Sequence, residues 1–206
     1  MLRRVFLMAP LPLLFQGRPG EALARDCPRQ KGEAPVPPAI YEIYQSNEDV
    51  EVANTTAVTT LLSFTVNANA LDVDHSVSCT LWGTWKNGHA DGQPHDAALY
   101  VGLGGATTLL TFGLIPLPYN PFSGATPFEM TFDIFAKGGP GAALGAQEAF
   151  GKVTFNQGVS TPYIALDQGT ATQDATGELV LAVKAALDSA SANLVITKSK
   201  AVVKLM

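Results

Sequence analysis

The stretch Ser76-Val77-Ser78-Cys79-Thr80-Leu81-Trp82-Gly83-Thr84-Trp85 decides the fold class. In an extended chain Val77, Cys79, Leu81, Gly83 and Trp85 fall on one face, and Ser76, Ser78, Thr80, Trp82 and Thr84 on the other. Side chains alternate across a strand with a period of two, so this is a strand with an apolar inner face and a polar outer face. That division is what an antiparallel sheet shows when one side packs on a core and the other meets water. Lys86-Asn87-Gly88 then supplies the residues of a turn.

Working outward, the same pattern recurs. Phe128, Met130, Phe132 and Ile134 alternate with Glu129, Thr131 and Asp133. Thr56–Val66 is dense in the β-branched and aliphatic residues that pleated surfaces favour. Asp96–Val101 and Ala106–Phe112 bracket Gly102-Leu103-Gly104-Gly105 and read as a hairpin. Further runs cover Ile40–Gln45, Ala149–Phe155, Thr161–Leu166, Glu178–Leu187 and Asn193–Leu205. Leu179–Leu187 contains good helix formers, but its β context and the flanking Gly177 favour a strand. Ala142–Ala149 has the composition for one helical turn. Pro116, Pro118, Pro121 and Pro127 mark a long connection that carries Tyr119 and Phe122. About eight to ten strands in this arrangement require two packed sheets or a closed barrel. Short connections alternate with long ones, which favours an all-β jelly-roll β-sandwich of Greek-key topology.

Charge divides the 206 residues unevenly. Every arginine (Arg3, Arg4, Arg18, Arg25 and Arg29) and half of the prolines lie in residues 1–38, which carry a net +3. Residues 39–206 carry a net −8. The expected organisation is an extended, basic, proline-rich N-terminal arm over 1–38 followed by a jelly-roll domain over 39–206. A signal-peptide reading of the leader competes with this one, since Met1-Leu2-Arg3-Arg4 precedes an apolar run and Ala22-Leu23-Ala24 resembles a cleavage site. Pro10 and Pro12 interrupt that apolar run, and the retained arm is preferred. No other stretch has the length of a membrane-spanning helix. The acidic body argues against nucleic acid as its main partner, because phosphate binding needs clustered Lys and Arg. Charged residues make up only 15% of the chain, as expected where part of the surface is covered by a partner.

The residues that could carry chemistry have simpler readings. Cys27 and Cys79 are too few for a disulfide framework and have no metal-site spacing, although a bridge between them remains open. His89 and His95, with Asp91 and Asp96, crowd a Gly-rich loop and could be drawn as a metal site. Their spacing matches no established motif, and polar hairpin loops collect such residues, so no metal is expected there. Asp72 and Asp74 lack the glycine turn and distant glutamate of a calcium loop. Gly102-Leu103-Gly104-Gly105 is followed by no lysine and no helix that would receive a phosphate. No serine occupies a nucleophile elbow. Glu129 and Asp133 fall on the polar face of one strand. Asn54-Thr55-Thr56 is a glycosylation sequon, relevant only to eukaryotic secretion. The expected protein is therefore not an enzyme and has no cofactor. Trp82, by contrast, points outward if Trp85 points inward, and an outward tryptophan marks an interface or a sugar-stacking platform.

Several short motifs resemble those of jelly-roll structural proteins from tailed-phage virions. Asn54-Thr55-Thr56 through Leu61-Leu62-Ser63-Phe64-Thr65-Val66-Asn67-Ala68-Asn69-Ala70-Leu71 is similar to their "TT…TLLS…PANTL" segment, with Asn67 in place of the proline. Cys79–Asn87 is similar to their "G-x-Y/W-x-N" strand and turn. Leu99–Leu109 resembles their "L-x-V-x-L-GG-TTL" hairpin, and Ala201-Val202-Val203-Lys204-Leu205 their final strand. The resemblance implies a non-enzymatic decoration, cement or head-fibre protein on the capsid exterior. It further implies a homotrimer, and the basic arm, which has no counterpart in those motifs, is expected from its charge to fasten the body to the major capsid protein through Arg3, Arg4, Arg18, Arg25 and Arg29. Trp82, Tyr119 and Phe122 are the candidate interface residues. The rival expectation on the same fold is a secreted or virion-borne module that binds a glycan.

Overall fold

The computed structural model describes residues 41–71, 75–105, 107–120, 124–137, 146–157 and 160–206. Eleven strands occupy them: β1 Tyr41–Ser46, β2 Val50–Ala53, β3 Thr59–Val66, β4 Ser76–Asn87, β5 His95–Leu103, β6 Thr107–Leu117, β7 Thr126–Ala136, β8 Gln147–Gln157, β9 Ser160–Ala171, β10 Leu179–Leu187 and β11 Leu194–Leu205. No described helix is long and apolar enough to cross a membrane. The leader, with its five arginines and Cys27, lies outside the described residues, as do Asp72, Asp74 and Phe122.

Strand pairing defines the topology without reference to any other protein. All ladders are antiparallel. One sheet runs β1-β11-β4-β7-β8-β9, with β2 also on β11, and the other runs β3-β10-β5-β6. With β1, which extends β2's place along β11, and the β8–β9 hairpin set aside, the remaining eight strands pair as a folded-over hairpin: β2 with β11, β3 with β10, β4 with β7, and β5 with β6. The innermost pair β5–β6 is joined by the tight turn at Gly104-Gly105, whose φ values of 68° and 86° suit glycine. Wrapping such a four-layer hairpin into two sheets is the jelly roll, as expected from the sequence. β8 and β9 widen the larger sheet beyond β7.

The core lies between the inner faces. Val77, Cys79, Leu81 and Trp85 of β4 are buried, as are Phe128, Met130, Phe132 and Ile134 of β7. Facing them are Leu99, Val101 and Leu103 of β5, Leu110, Phe112 and Ile115 of β6, and Leu181 and Val183 of β10. Each large apolar side chain so buried contributes about 1.5–3 kcal/mol. Gly83 interrupts the apolar series of β4 for a steric reason. A Cβ there would overlap the Phe128 ring and the Thr197 carbonyl, and Phe128 uses that space to stack on Phe155 with centroids 4.7 Å apart.

Two sequence expectations need correction. Pro116 and Pro127 do not belong to the connection between strands: they lie in β6 and β7. β6 is an edge strand of its sheet, where a residue without an N–H is tolerated. Pro127 precedes the stretch of β7 that pairs with β8. Ala149 lies in β8 and not in a helical turn. Leu179–Leu187 is a strand, as its context indicated.

Candidate functional site

Among the described residues, the outer face of the larger sheet gathers five of the nine exposed large hydrophobic side chains. Register sets its rows. Lys200, Trp82, Glu129, Thr154 and Ile164 lie side by side across β11, β4, β7, β8 and β9. The next row is Val202, Thr80, Thr131, Lys152 and Leu166, and the one after it Lys204, Ser78, Asp133, Phe150 and Gln168. Phe135 of β7, Phe150 of β8 and Leu166 of β9 therefore form a diagonal apolar stripe that continues to Ile164. The Phe135 and Phe150 rings meet edge-on at 6.4 Å. The five on this face are Trp82, Phe135, Phe150, Ile164 and Leu166. Leu166 is 75% exposed.

Two shallow hollows open near this stripe. One, of about 450 Å³, is lined by Phe150, Gly151, Leu166, Asp167 and Gln168. Its single carboxylate is already engaged, since the Thr111 backbone N–H donates to Asp167 Oδ2 at 2.6 Å. The other, about 260 Å³, is lined by Glu129, Thr131, Lys152 and Thr154. Glu129 and Asp133 stand on this solvent-facing side, as the alternation of β7 indicated.

The two tryptophans divide as their spacing implied. Trp85 is 2% exposed, and its indole N–H donates to the Asn156 carbonyl at 3.0 Å. Trp82 is 37% exposed, with Lys200 Nζ 5.5 Å from its ring centroid. Tyr119 is exposed as well, but it sits in the β6–β7 connection with its ring about 4 Å from where a Cβ on Gly92 would be. Register thus places Trp82 on the sheet face and Tyr119 against a loop.

That loop belongs to the end of the sandwich where the β4–β5, β6–β7 and β10–β11 connections meet. Buried Asn87 organises it. Its amide donates to the Gln93 and Leu117 carbonyls at 3.0 and 2.8 Å, and its Oδ1 accepts the His89 N–H at 3.1 Å. The β6–β7 connection is tied in by the Asn120 N–H, which donates to the Asn87 carbonyl at 2.7 Å. His89 and His95 pack with centroids 4.3 Å apart and their rings tilted by 52°, and Asp91 bridges His89 Nδ1 and His95 Nε2. His89 Nδ1 is 2.9 Å from Asp91 Oδ1, and His95 Nε2 is 3.1 Å from Asp91 Oδ2. On the outer side, His95 Nδ1 is 3.0 Å from Asp188 Oδ1, and Ser189 Oγ is 3.2 Å from His89 Nε2. The Gln93 amide, followed by His89 and His95, holds the Asp91 carboxyl below the usual carboxylate range. Asp96, grouped with the histidines by its place in sequence, contributes its backbone instead, donating its N–H to Asp188 Oδ2 at 2.9 Å. Asp188 and Ser189 escape a sequence reading because they stand about a hundred residues from the histidines, and only the β5–β10 ladder brings them alongside.

No protein-family model matches the chain, and no curated protein matches it. Among solved structures it is similar to a peanut lectin with a 9-mer peptide, at 12% identity and a TM-score of 0.39, covering 86% of this chain and 94% of the lectin. It is also similar to a basic winged bean lectin with Tn-antigen, at 11% identity and a TM-score of 0.36, covering 81% of this chain and 98% of that one. Likenesses this distant carry no argument about ligand or activity, and the jelly-roll assignment rests on the strand pairing itself.

Proposed function

We propose that this protein is a non-enzymatic adhesion subunit of a virion, a decoration or cement protein, and that the outer face of its larger sheet is the surface through which copies associate. The observation that carries the reading is the clustering of Trp82, Phe135, Phe150, Ile164 and Leu166 on that one face. Monomeric proteins rarely leave a contiguous apolar stripe such as Phe135, Phe150, Leu166 and Ile164 uncovered, and Trp82, set apart from it by Glu129 and Thr154, adds an exposed aromatic anchor with a polar surround of the kind protein interfaces use. The viral setting comes from the motif resemblance over the body, and in this reading the basic arm over 1–38 binds the capsid surface. Three arms held together by associating bodies would act at high effective concentration, so modest contacts sum to stable attachment. The test uses purified particles. Full-length protein should decorate the capsid exterior, and a chain lacking residues 1–38 should keep its oligomeric state but lose decoration. Undiminished occupancy by the truncated chain would overturn the arm's role.

Trp82 itself supports a second reading, glycan binding, because its exposed ring is surrounded by Thr80, Thr84, Glu129 and Lys200. An aromatic face flanked by hydrogen-bonding groups suits a sugar ring. Glycan-array binding that is lost in Trp82→Ala would favour this reading.

A further inference from the structure

The loop end of the sandwich carries a cluster in which neutral imidazoles would leave two lone pairs facing a carboxylate. A neutral imidazole has one N–H and one lone pair. His95 Nδ1 faces the Asp188 carboxylate at 3.0 Å, which accepts and cannot donate, so the proton belongs on Nδ1. The lone pair on His95 Nε2 then points at Asp91 Oδ2, 3.1 Å away. His89 shows the same conflict. With its proton on Nε2, the Nδ1 lone pair lies 2.9 Å from Asp91 Oδ1, and a metal ion there would replace the long, 3.3 Å bond that Nδ1 accepts from the Asp91 backbone N–H. The Ser189 hydroxyl is placed to accept the remaining proton from His89 Nε2. Two imidazole lone pairs and a carboxylate therefore converge, all within 4.8 Å of one another. Acceptor facing acceptor at such distances repels unless a cation lies among them.

We propose that His89 Nδ1, His95 Nε2 and the Asp91 carboxylate form a binding site for a first-row divalent metal ion of the zinc class, with Asp188 and Ser189 as positioning residues. Two imidazoles and one carboxylate favour zinc, cobalt or nickel over calcium and magnesium, which take oxygen ligands. The spacing fits. Metal–ligand bonds of about 2.0–2.1 Å in a tetrahedron set neighbouring ligand atoms about 3.3 Å apart; the nitrogens lie 2.9 and 3.1 Å from the Asp91 oxygens and the three ligand groups lie within 4.8 Å of one another, so small side-chain rotations would bring them to that spacing. Metal-bound histidines commonly give their other N–H to a carboxylate or similar acceptor, which fixes tautomer and ring orientation. Asp188 and Ser189, consecutive residues at the end of β10, stand where they serve both rings in this way. The Asn87 hydrogen bonds hold the loop in this shape without any metal. Three protein ligands leave a coordination position open, for water or for a donor atom from a partner.

The test is zinc titration of chelator-stripped, full-length protein by calorimetry, with cobalt(II) absorption as a second readout of coordination. One equivalent of zinc should bind, calcium should not compete, and cobalt should give the intense visible bands of a four-coordinate site. His89→Ala, His95→Ala and Asp91→Asn should each weaken zinc binding by at least 100-fold. Asp188→Ala should weaken it about 10- to 100-fold and shift the cobalt spectrum, since it acts through His95. Circular dichroism checks folding, and Asp91→Asn, near-isosteric and on an exposed loop, carries the test if a histidine variant unfolds. Zinc binding that persists in the His89→Ala/His95→Ala double variant would place the metal elsewhere and overturn the proposal. Absence of zinc binding by the unaltered chain would do the same, leaving protons as the only cations between these groups.

Discussion

The backbone N–H of Thr111 in β6 donates to the side chain of Asp167 in β9, joining an edge of the smaller sheet to an edge of the larger one. Beside this bond, Gly169 lies against the Leu109 carbonyl so closely that a Cβ would overlap it. The β8–β9 hairpin thus curls from the larger sheet toward β6 and covers part of an edge that would otherwise expose unpaired amides. Gly169→Ala should destabilise the protein by about 2–3 kcal/mol, as overpacking does. Asp167→Ala, which loses one charge-assisted bond at the surface, should cost about 1 kcal/mol. Chemical denaturation measures both. Equal, negligible effects would mean that the two edges are not held together here.

The two tryptophans should separate sharply in their effect on stability. Trp85→Ala removes a buried ring and its bond to Asn156, and should cost about 3–5 kcal/mol. Trp82→Ala should cost much less, about 1 kcal/mol, because its ring is only partly covered. Loss of Trp85 without a stability penalty would contradict the facing assigned to β4.

Lys198 gives a pH signature. It sits at the β11 bulge where β1 gives way to β2, is 1% exposed, and donates from Nζ to Ser46 Oγ at 2.9 Å. Burial pushes its pKa below the ordinary lysine value, and the nearby Glu48 and Asp49 carboxylates offset this only in part. Between the lowered folded pKa and the ordinary value near 10.5, the unfolded chain binds more protons than the folded one. Stability therefore rises with pH across that window, and the penalty is fully present below it. Lys198→Met should remove this rise and stabilise the protein at neutral pH by about 1 kcal/mol. Denaturation at pH 7, 9 and 10 checks the slope.

The Cys79 thiol should be inert in the folded state. Burial, with a smaller contribution from Asp133, pushes its pKa up to about 12, so thiolate is scarce at ordinary pH and reagents cannot reach it. In a Cys27→Ser background, alkylation at pH 8 should follow global unfolding and speed up with denaturant. Rapid labelling of the native protein would contradict the burial.

Much of the fold was legible because inner and outer faces alternate so cleanly. The series Val77–Trp85 and Phe128–Ile134 fixed strand, facing and the division of the tryptophans. The extent of β6 was not legible. Gly113 and Leu114, the latter at a positive φ of 51°, form an irregularity that carries the strand on through Pro116, where proline otherwise signals a loop. The apolar stripe was hidden for a different reason. Phe135, Phe150, Ile164 and Leu166 look like core residues one at a time, and only the register of β7, β8 and β9 shows that they face outward together. His89, Asp91 and His95 were visible as a polar loop, but the groups that orient the histidines, Asp188 and Ser189, enter from the bend that follows β10.

Light scattering on the eluting full-length protein tests the association surface most directly, comparing the unaltered chain with a Phe150→Glu/Leu166→Glu variant. Both substituted side chains face solvent, so the variant should remain folded by circular dichroism. A stable oligomer is expected for the unaltered protein and a monomer for the variant. An unaltered protein that runs as a monomer, or a variant that keeps the oligomer intact, would contradict this expectation.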